Sequence, residues 1–453
     1  MNTDDQGKRD GFTSRFGIIA AAAGSAIGLG NIWRFPYVAG ENGGGAFLLV
    51  YLSFVLVLGI PVMLSEFVIG RKAKKNAFGA IRSIAPGTWW PVIGIMGIVA
   101  AFVILAFYST IAGWTLHYVY LSLINGFKGH DSESLGIIFN EFMVSGAMPL
   151  FWQMVFLVLT AVIILSGVRK GIEKYSKILM PFLLLLLLGL CVRSLTLPGA
   201  MEGISFLFKP DFSKINPAVI LSALGQAAFS LSIGMGALIT YASYFPKETN
   251  LSNTAFEVSI ADVIIAILAG VAIFPAVFAL GMEPDGGVGL IFMVLPNVFQ
   301  QMPGGYFFAL AFFVLLSIAA VTSSISIMEV VVAFLVEEFQ LKRRQATFIT
   351  LVAAAFVGVF CTLSWGALEG VTIGGMNIFD SLDYAASSIL LPLGGLLIVL
   401  FVGWYMTNTQ VEQELSNAGQ VKVRLFKVFN FIIRFIAPIA IAIIFLNGIG
   451  FIR

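Results

Sequence analysis

The sequence predicts an all-α integral membrane protein of eleven crossing helices, two of them interrupted near mid-membrane. Three observations carry this reading. Hydrophobic residues make up 59% of the 453 residues and charged residues 11%, against about 25% charged in a typical soluble domain. Charge-free stretches long enough for ~30 Å of hydrocarbon recur along the chain, among them 149–168, 218–246, 288–328 and 384–411. Two apolar runs share the pattern Ile-Gly-x-Gly, at 27–30 in SAIGLGN and at 233–236 in LSIGMGA. A glycine inside a helix costs roughly 1 kcal/mol against alanine, so these runs are weakened where a crossing helix should be most regular.

The expected crossings are 14–39, 45–70, 90–124, 149–167, 174–195, 217–245, 254–281, 305–338, 346–365, 379–408 and 425–449, numbered helices 1 to 11. Most connections are short; 125–148 and 196–216 are longer. No sizeable soluble domain is left, so the chain reads as one transmembrane unit. Lys and Arg favour cytoplasmic loops. With the N-terminus inside, nineteen of the 26 basic residues fall on the inner side, and an odd number of helices puts the C-terminus outside. The opening MNTDDQGKRDGFTSRF is acidic as well as basic and runs directly into helix 1, as a retained tail does.

Several classes are disfavoured. The net charge of +2 singles out no charged partner, and no nucleic-acid partner is expected. Cys191 and Cys361 lie in apolar runs and read as small buried hydrophobes. His117 and His130 are isolated, so a transition-metal site is not expected. No nucleophile–base pair points to an enzyme.

The glycine pair in helix 1 and its echo in helix 6 lie five crossings apart, in helices of opposite direction. Gly-interrupted segments in corresponding positions of two inverted halves mark a transporter built from an inverted repeat. The halves are about 14–195 and 217–408, with 425–449 extra. Close packing of small residues is the plainer alternative. An unwound turn frees N–H and C=O groups that lipid cannot satisfy. Carbonyls there can hold a hard cation, and N–H groups can hold a carboxylate. Helix 8 offers Thr322, Ser323 and Ser324 at mid-helix. Asp262 in helix 7 is an intramembrane carboxylate, a functional candidate by default. Glu66 is a second, with a structural role as the competing reading.

The stretches RFGIIAAAAGSAIGLGNIWRFPY, ENGGGAFLLVY, GIPVMLSEFVIGR, GQAAFSLSIGMGALITYASY and AAVTSSISIM together resemble the neurotransmitter:sodium symporters. The resemblance covers nearly the whole chain. It implies the leucine-transporter fold, with a 5+5 inverted repeat and helices 1 and 6 unwound. Eleven helices resemble the bacterial branch, in particular members that carry several hydrophobic amino acids.

The resemblance implies import of an amino acid by alternating access, coupled to two Na⁺ ions. One ion would lie among Ala26, Asn31, Ser230 and Asp262, with the substrate carboxylate. The other would lie among Gly24, Ile27, Ala319, Thr322 and Ser323. The substrate's charged ends would meet Ala26, Leu29, Gly30, Tyr108, Phe229 and Ser230. Its side chain would lie among Ile104, Tyr108, Phe229, Ser232, Met235, Ser323 and Ile327. The outer gate would be Arg34 with Asp383, or alternatively Asp380, under a Phe229 lid. The inner gate would be Arg9 with Glu337, beside Ser243 and Tyr244, plugged by Phe12.

Departures from the family refine the expectation. Asp262 stands where the family often has Asn, and Ala266 replaces the chloride-site Ser, which implies chloride independence. Met235 replaces a bulkier Phe, and flexible Met adapts to varied shapes. Neutral hydrophobic L-amino acids, aliphatic and aromatic, are therefore expected. The expected surroundings are the lipid bilayer of a bacterial inner membrane; no oligomeric state is implied. Gly171 and Pro181 in helix 5 bracket a segment able to unwind. A proton-coupled carrier or exchanger of the same fold is the alternative, with a channel or receptor behind it.

Overall fold

The computed structural model describes residues 11–279, 281 and 290–452. Among the described residues nine helices are long and apolar enough to cross a membrane: Gly45–Ala73, Val92–Leu123, Ala147–Leu165, Val168–Leu195, Leu251–Ala279, Gly305–Glu338, Arg343–Trp365, Ile378–Tyr405 and Phe426–Gly448. Two further crossings are broken. Helix 1 is Arg15–Ala26 followed by Gly30–Glu41, bent by 53°. Helix 6 is Pro217–Ser230 followed by Ala237–Ser243. With the bent helix 1 counted as one span this makes ten, and the shorter apolar helix 6 is consistent with the expected eleven.

Bounds differ from expectation by a few residues, with physical causes. Helix 5 begins at Val168, because a π-helical turn over Val168–Glu173 carries it through its basic start. Helix 10 stops at Tyr405, where another π turn, Phe401–Tyr405, ends it. The long connections hold helices of their own, Ser132–Val144 and Ala200–Phe208. A short apolar helix, Ile291–Gln300, precedes helix 8.

The core follows from small residues. Helix 1 presents Ala20 to Ala23, Gly24, Ser25 and Ala26, all buried, so neighbouring backbones approach closely. At Gly17 an added Cβ would lie 2.4 Å from Glu173 Oε1. That carboxylate accepts hydrogen bonds from Thr13 N at 2.9 Å and Ser14 Oγ at 2.8 Å, and pairs with Lys177 at 2.6 Å. Glu173 thus ties the start of helix 1 to the start of helix 5. Arg15 pairs with Glu257 of helix 7.

Helix 8 runs through the centre, with all its residues from Leu315 to Ala333 buried. Its Glu329 accepts from Arg343 Nη2 at 2.5 Å and from Tyr244 Oη at 2.7 Å. Removing one partner of a buried ion pair costs about 3–5 kcal/mol because the other charge stays buried. Arg343→Ala is therefore expected to lower the unfolding midpoint of the purified protein by several degrees, with Arg343→Lys recovering part of it. A melt unchanged from wild type would contradict the assignment.

Candidate functional site

The two breaks face each other. In helix 1, Ile27 turns extended, φ −73° and ψ 102°, and its N–H bonds back to Ala23 O. The chain resumes as a π turn from Gly30 to Arg34. In helix 6, Ser232, Gly234 and Gly236 have φ of +55°, +88° and +73°. Gly tolerates that region at little cost, but Ser does not. Its hydroxyl gives the reason for Ser232: it donates to Ser25 O, in helix 1, at 2.8 Å.

Groups freed by the breaks find specific partners, as the absence of water demands. Gly234 N–H donates to Glu66 Oε1 at 2.8 Å. Gln226 Nε2 donates to Gly30 O at 2.9 Å. The buried Glu66 therefore acts on the unwound backbone of helix 6, the structural alternative considered for it.

One cluster of oxygens gathers around Asp262. Asn31 Nδ2 donates to Asp262 Oδ1 at 2.8 Å and to Ser230 Oγ at 3.1 Å. Ser230 Oγ donates to Asp262 Oδ2 at 2.7 Å. Asn31 Oδ1 accepts from Gly28 N–H at 3.3 Å. All four residues are buried. Tyr51 of helix 2 joins them, its hydroxyl 3.2 Å from Asp262 Oδ2; nothing in its sequence neighbourhood marked it.

A second cluster lies between helices 1 and 8. Ser323 Oγ stands 3.4 Å from each of Gly24 O, Ser25 O and Ile27 O. Thr322 Oγ1 lies 3.0 Å from Ala319 O. A Cβ on Gly24 would sit 3.3 Å from both the Thr322 side chain and Met180 Sδ of helix 5. All five residues expected around the second ion thus meet in one place, with Ser25 O added.

Residues expected around the substrate are packed beside these clusters. Leu29 N–H donates to Tyr108 Oη at 3.4 Å. Ile104, Met235, Ser323 and Ile327 are buried, and Tyr108 is 9% exposed. The Phe229 ring packs on the chain at Gly30, where a Cβ would approach it to 3.2 Å. The hydroxyl of Ser232, also expected here, is committed to the helix 1 backbone.

The gates depart from expectation at one point. Arg34 closes no ion pair with Asp383 or Asp380. Its guanidinium lies 4.3 Å over the Phe229 ring, within electrostatic reach of the Tyr37 hydroxyl. A weakly hydrated, planar guanidinium is well suited to an aromatic face, while Asp380 is held by the Nδ2 of Asn377 at 2.7 Å. Asp383 stays within electrostatic reach of Arg34. Beside Arg34 and Phe229 a cavity of about 370 Å³ extends between helices 2, 6, 10 and 11.

On the N-terminal face Phe12 is buried, 5.8 Å from the Tyr241 ring and 6.0 Å from that of Phe245, as a plug would be. Its N–H donates to Tyr244 O at 3.2 Å. Arg9, the expected partner of Glu337, lies outside the described residues. Glu337 accepts from Asn76 N at 2.7 Å. Tyr244 turns its hydroxyl to Glu329, which the sequence reading passed over although an intramembrane carboxylate was signal enough.

A family model described as the sodium:neurotransmitter symporter family matches residues 9–135 and 135–452. The chain belongs to that family. An uncharacterized sodium-dependent transporter of Bacillus subtilis, YhdH, is 42% identical over 97% of each chain. One from Methanocaldococcus jannaschii is 34% identical over 97% of this chain and 91% of its own. The sodium-dependent dopamine transporter of Bos taurus is 27% identical over 90% of this chain and 64% of its own. Among solved structures, MhsT in complex with L-phenylalanine superposes with a TM-score of 0.90 at 48% identity, covering 97% of this chain and all of that one. The fold is therefore the leucine-transporter fold, and the chain is a membrane transporter and not an enzyme.

The geometry makes one position decisive. A Cβ on Gly28 would lie 2.3 Å from Ser323 Oγ and 3.3 Å from Tyr108 Oη, pressing on the second cluster and on Tyr108 at once. A displacement costing even ~1.4 kcal/mol lowers affinity about tenfold. Gly28→Ala is expected to weaken sodium-dependent ligand binding by at least that factor. Gly189→Ala on helix 5, where a Cβ meets nothing within 4 Å, should leave binding unchanged. Equal binding in both variants would contradict the geometry.

Proposed function

We propose that this transporter is a symporter that imports neutral hydrophobic L-amino acids, aliphatic and aromatic, together with two Na⁺ ions. The observation that carries it is the facing pair of breaks, with an oxygen cluster on either side. The first cluster offers hydroxyl, amide and carboxylate oxygens and the second carbonyl and hydroxyl oxygens, all donors that a hard cation prefers. One ion is assigned to Ala26, Asn31, Ser230 and Asp262, where Asn31 would turn its amide oxygen to the metal. The other is assigned to Gly24, Ile27, Ala319, Thr322 and Ser323. The N–H groups of Leu29 and Gly30 and the Tyr108 hydroxyl suit a substrate carboxylate. The buried apolar wall of Ile104, Phe229, Met235 and Ile327 suits an uncharged side chain. MhsT was solved with L-phenylalanine, which supports the aromatic part of the range. A proton-coupled carrier would need no cage such as the one around Ser323.

The N-terminus is assigned to the cytoplasmic side of a bacterial plasma membrane, from the basic loops. The deciding experiment is uptake of labelled leucine and tryptophan into proteoliposomes with and without an inward Na⁺ gradient. Saturable, stereospecific uptake that requires the gradient is expected. Uptake that follows a pH gradient instead, or competition only by glycine or charged amino acids, would overturn the reading.

Chloride independence rests on Asp262, whose fixed carboxylate supplies the negative charge beside the first ion. Uptake in chloride-free buffer is expected to match the control, and to fall sharply for Asp262→Asn. A wild-type dependence on chloride would remove this assignment.

Release of the second ion is assigned to helix 5. Met180 lies against Gly24, so unwinding between Gly171 and Pro181 would uncover that cluster from the N-terminal face. Amide hydrogen exchange over 171–181 is expected to be faster without sodium than with it. Identical exchange in the two conditions would count against the route.

A further inference from the structure

Helix 11 carries two charged residues, Lys427 at its start and Arg434 within the crossing. An ionisable side chain inside a membrane span calls for a partner. Arg434 has neutral ones. Its Nε donates to Gly403 O at 2.6 Å and its Nη2 to Asn408 Oδ1 at 2.8 Å. No carboxylate pairs with it among the described residues. Capping the carbonyl that the π turn at the end of helix 10 leaves free needs a donor but not a charge. Of five guanidinium N–H donors, two are used, and the positive charge remains uncompensated.

The surroundings fit an amphiphile. Lys427 is exposed and lies seven residues before Arg434, two turns along the same side of the helix and ~10 Å away at 1.5 Å per residue. Trp404, 59% exposed, anchors beside Arg434 through Nε1 to its carbonyl oxygen at 3.1 Å, and stacks edge-on to Phe435 at 5.7 Å. Trp is the residue of membrane interfaces. Toward the membrane interior, Phe435, Ile439 and Ile443 form an exposed apolar row at helical spacing.

We propose that this surface binds one anionic glycerophospholipid from the leaflet on the N-terminal face. Its phosphate sits on the free guanidinium N–H groups of Arg434, a second headgroup oxygen faces Lys427, and an acyl chain lies along Phe435, Ile439 and Ile443. The planar fork of Arg suits phosphate oxygens. Basic pockets between membrane helices are a known means of holding anionic headgroups. The row of apolar side chains favours a lipid over free phosphate.

The test is native mass spectrometry of the full-length protein with equal amounts of phosphatidylglycerol and phosphatidylcholine. Wild type is expected to retain phosphatidylglycerol several-fold over phosphatidylcholine. Arg434→Gln is expected to bring that ratio close to one, with Arg434→Lys recovering part of it. Lys427→Gln, at a residue with no hydrogen bond or ion pair to helix 10 among the described residues, is expected to lower the ratio at least twofold. A ratio unchanged in Arg434→Gln overturns the proposal. If Arg434→Gln does not fold, an unchanged ratio in Lys427→Gln overturns it as well. Displacement of the lipid by excess inorganic phosphate would mark a free-anion site and would also overturn it. None of these readouts depends on transport, so the site stands or falls apart from the function assigned above.

Discussion

A helix that unwinds in lipid must find a partner for every backbone group it frees, and that requirement organises the centre of this molecule. The breaks in helices 1 and 6 survive because neighbouring side chains supply the partners. Helix 6 serves helix 1 through Ser232 and Gln226, and helix 2 serves helix 6 through Glu66. The scaffold around them, helices 2, 7 and 8, contributes side chains with fixed positions. The broken helices contribute backbone, whose direction changes when they tilt.

The two oxygen clusters differ in where they are anchored. The one at Asp262 joins helix 1 to helices 2, 6 and 7, and its members hydrogen-bond to one another through side chains. The one at Ser323 joins helix 1 to helix 8 alone. Separation of helix 1 from helix 8 therefore dismantles the second cluster while leaving most of the first in place. Glu173 ties the start of helix 1 to helix 5, so a movement of helix 1 away from helix 8 also loads its contact with helix 5.

Much of this was legible because glycine and polar residues stand out in an apolar run. SAIGLGN and LSIGMGA announced the breaks, VTSSIS the second cluster, and Asp262 the first. Tyr51 could not be read, since an aromatic residue in helix 2 looks like core until its neighbour is known. The π turns left no mark in composition, because a one-residue slip in hydrogen bonding changes no periodicity visible over a single turn. Glu173 lay in plain view, but its partners Thr13 and Ser14 are some 160 residues away. Arg34 was matched to a carboxylate through the family resemblance, whereas the delocalised cation lies against an aromatic face.

Gly28 also limits how this site can change over evolutionary time. Its hydrogen atom faces Ser323 and Tyr108 across a gap that no side chain fits, so the backbone there is closed to gradual variation. Ile104, Met235 and Ile327, the apolar residues proposed for the substrate's side chain, are buried and would contribute only bulk there. A lineage seeking a new cargo would be expected to explore those three positions and to leave the glycine as it is.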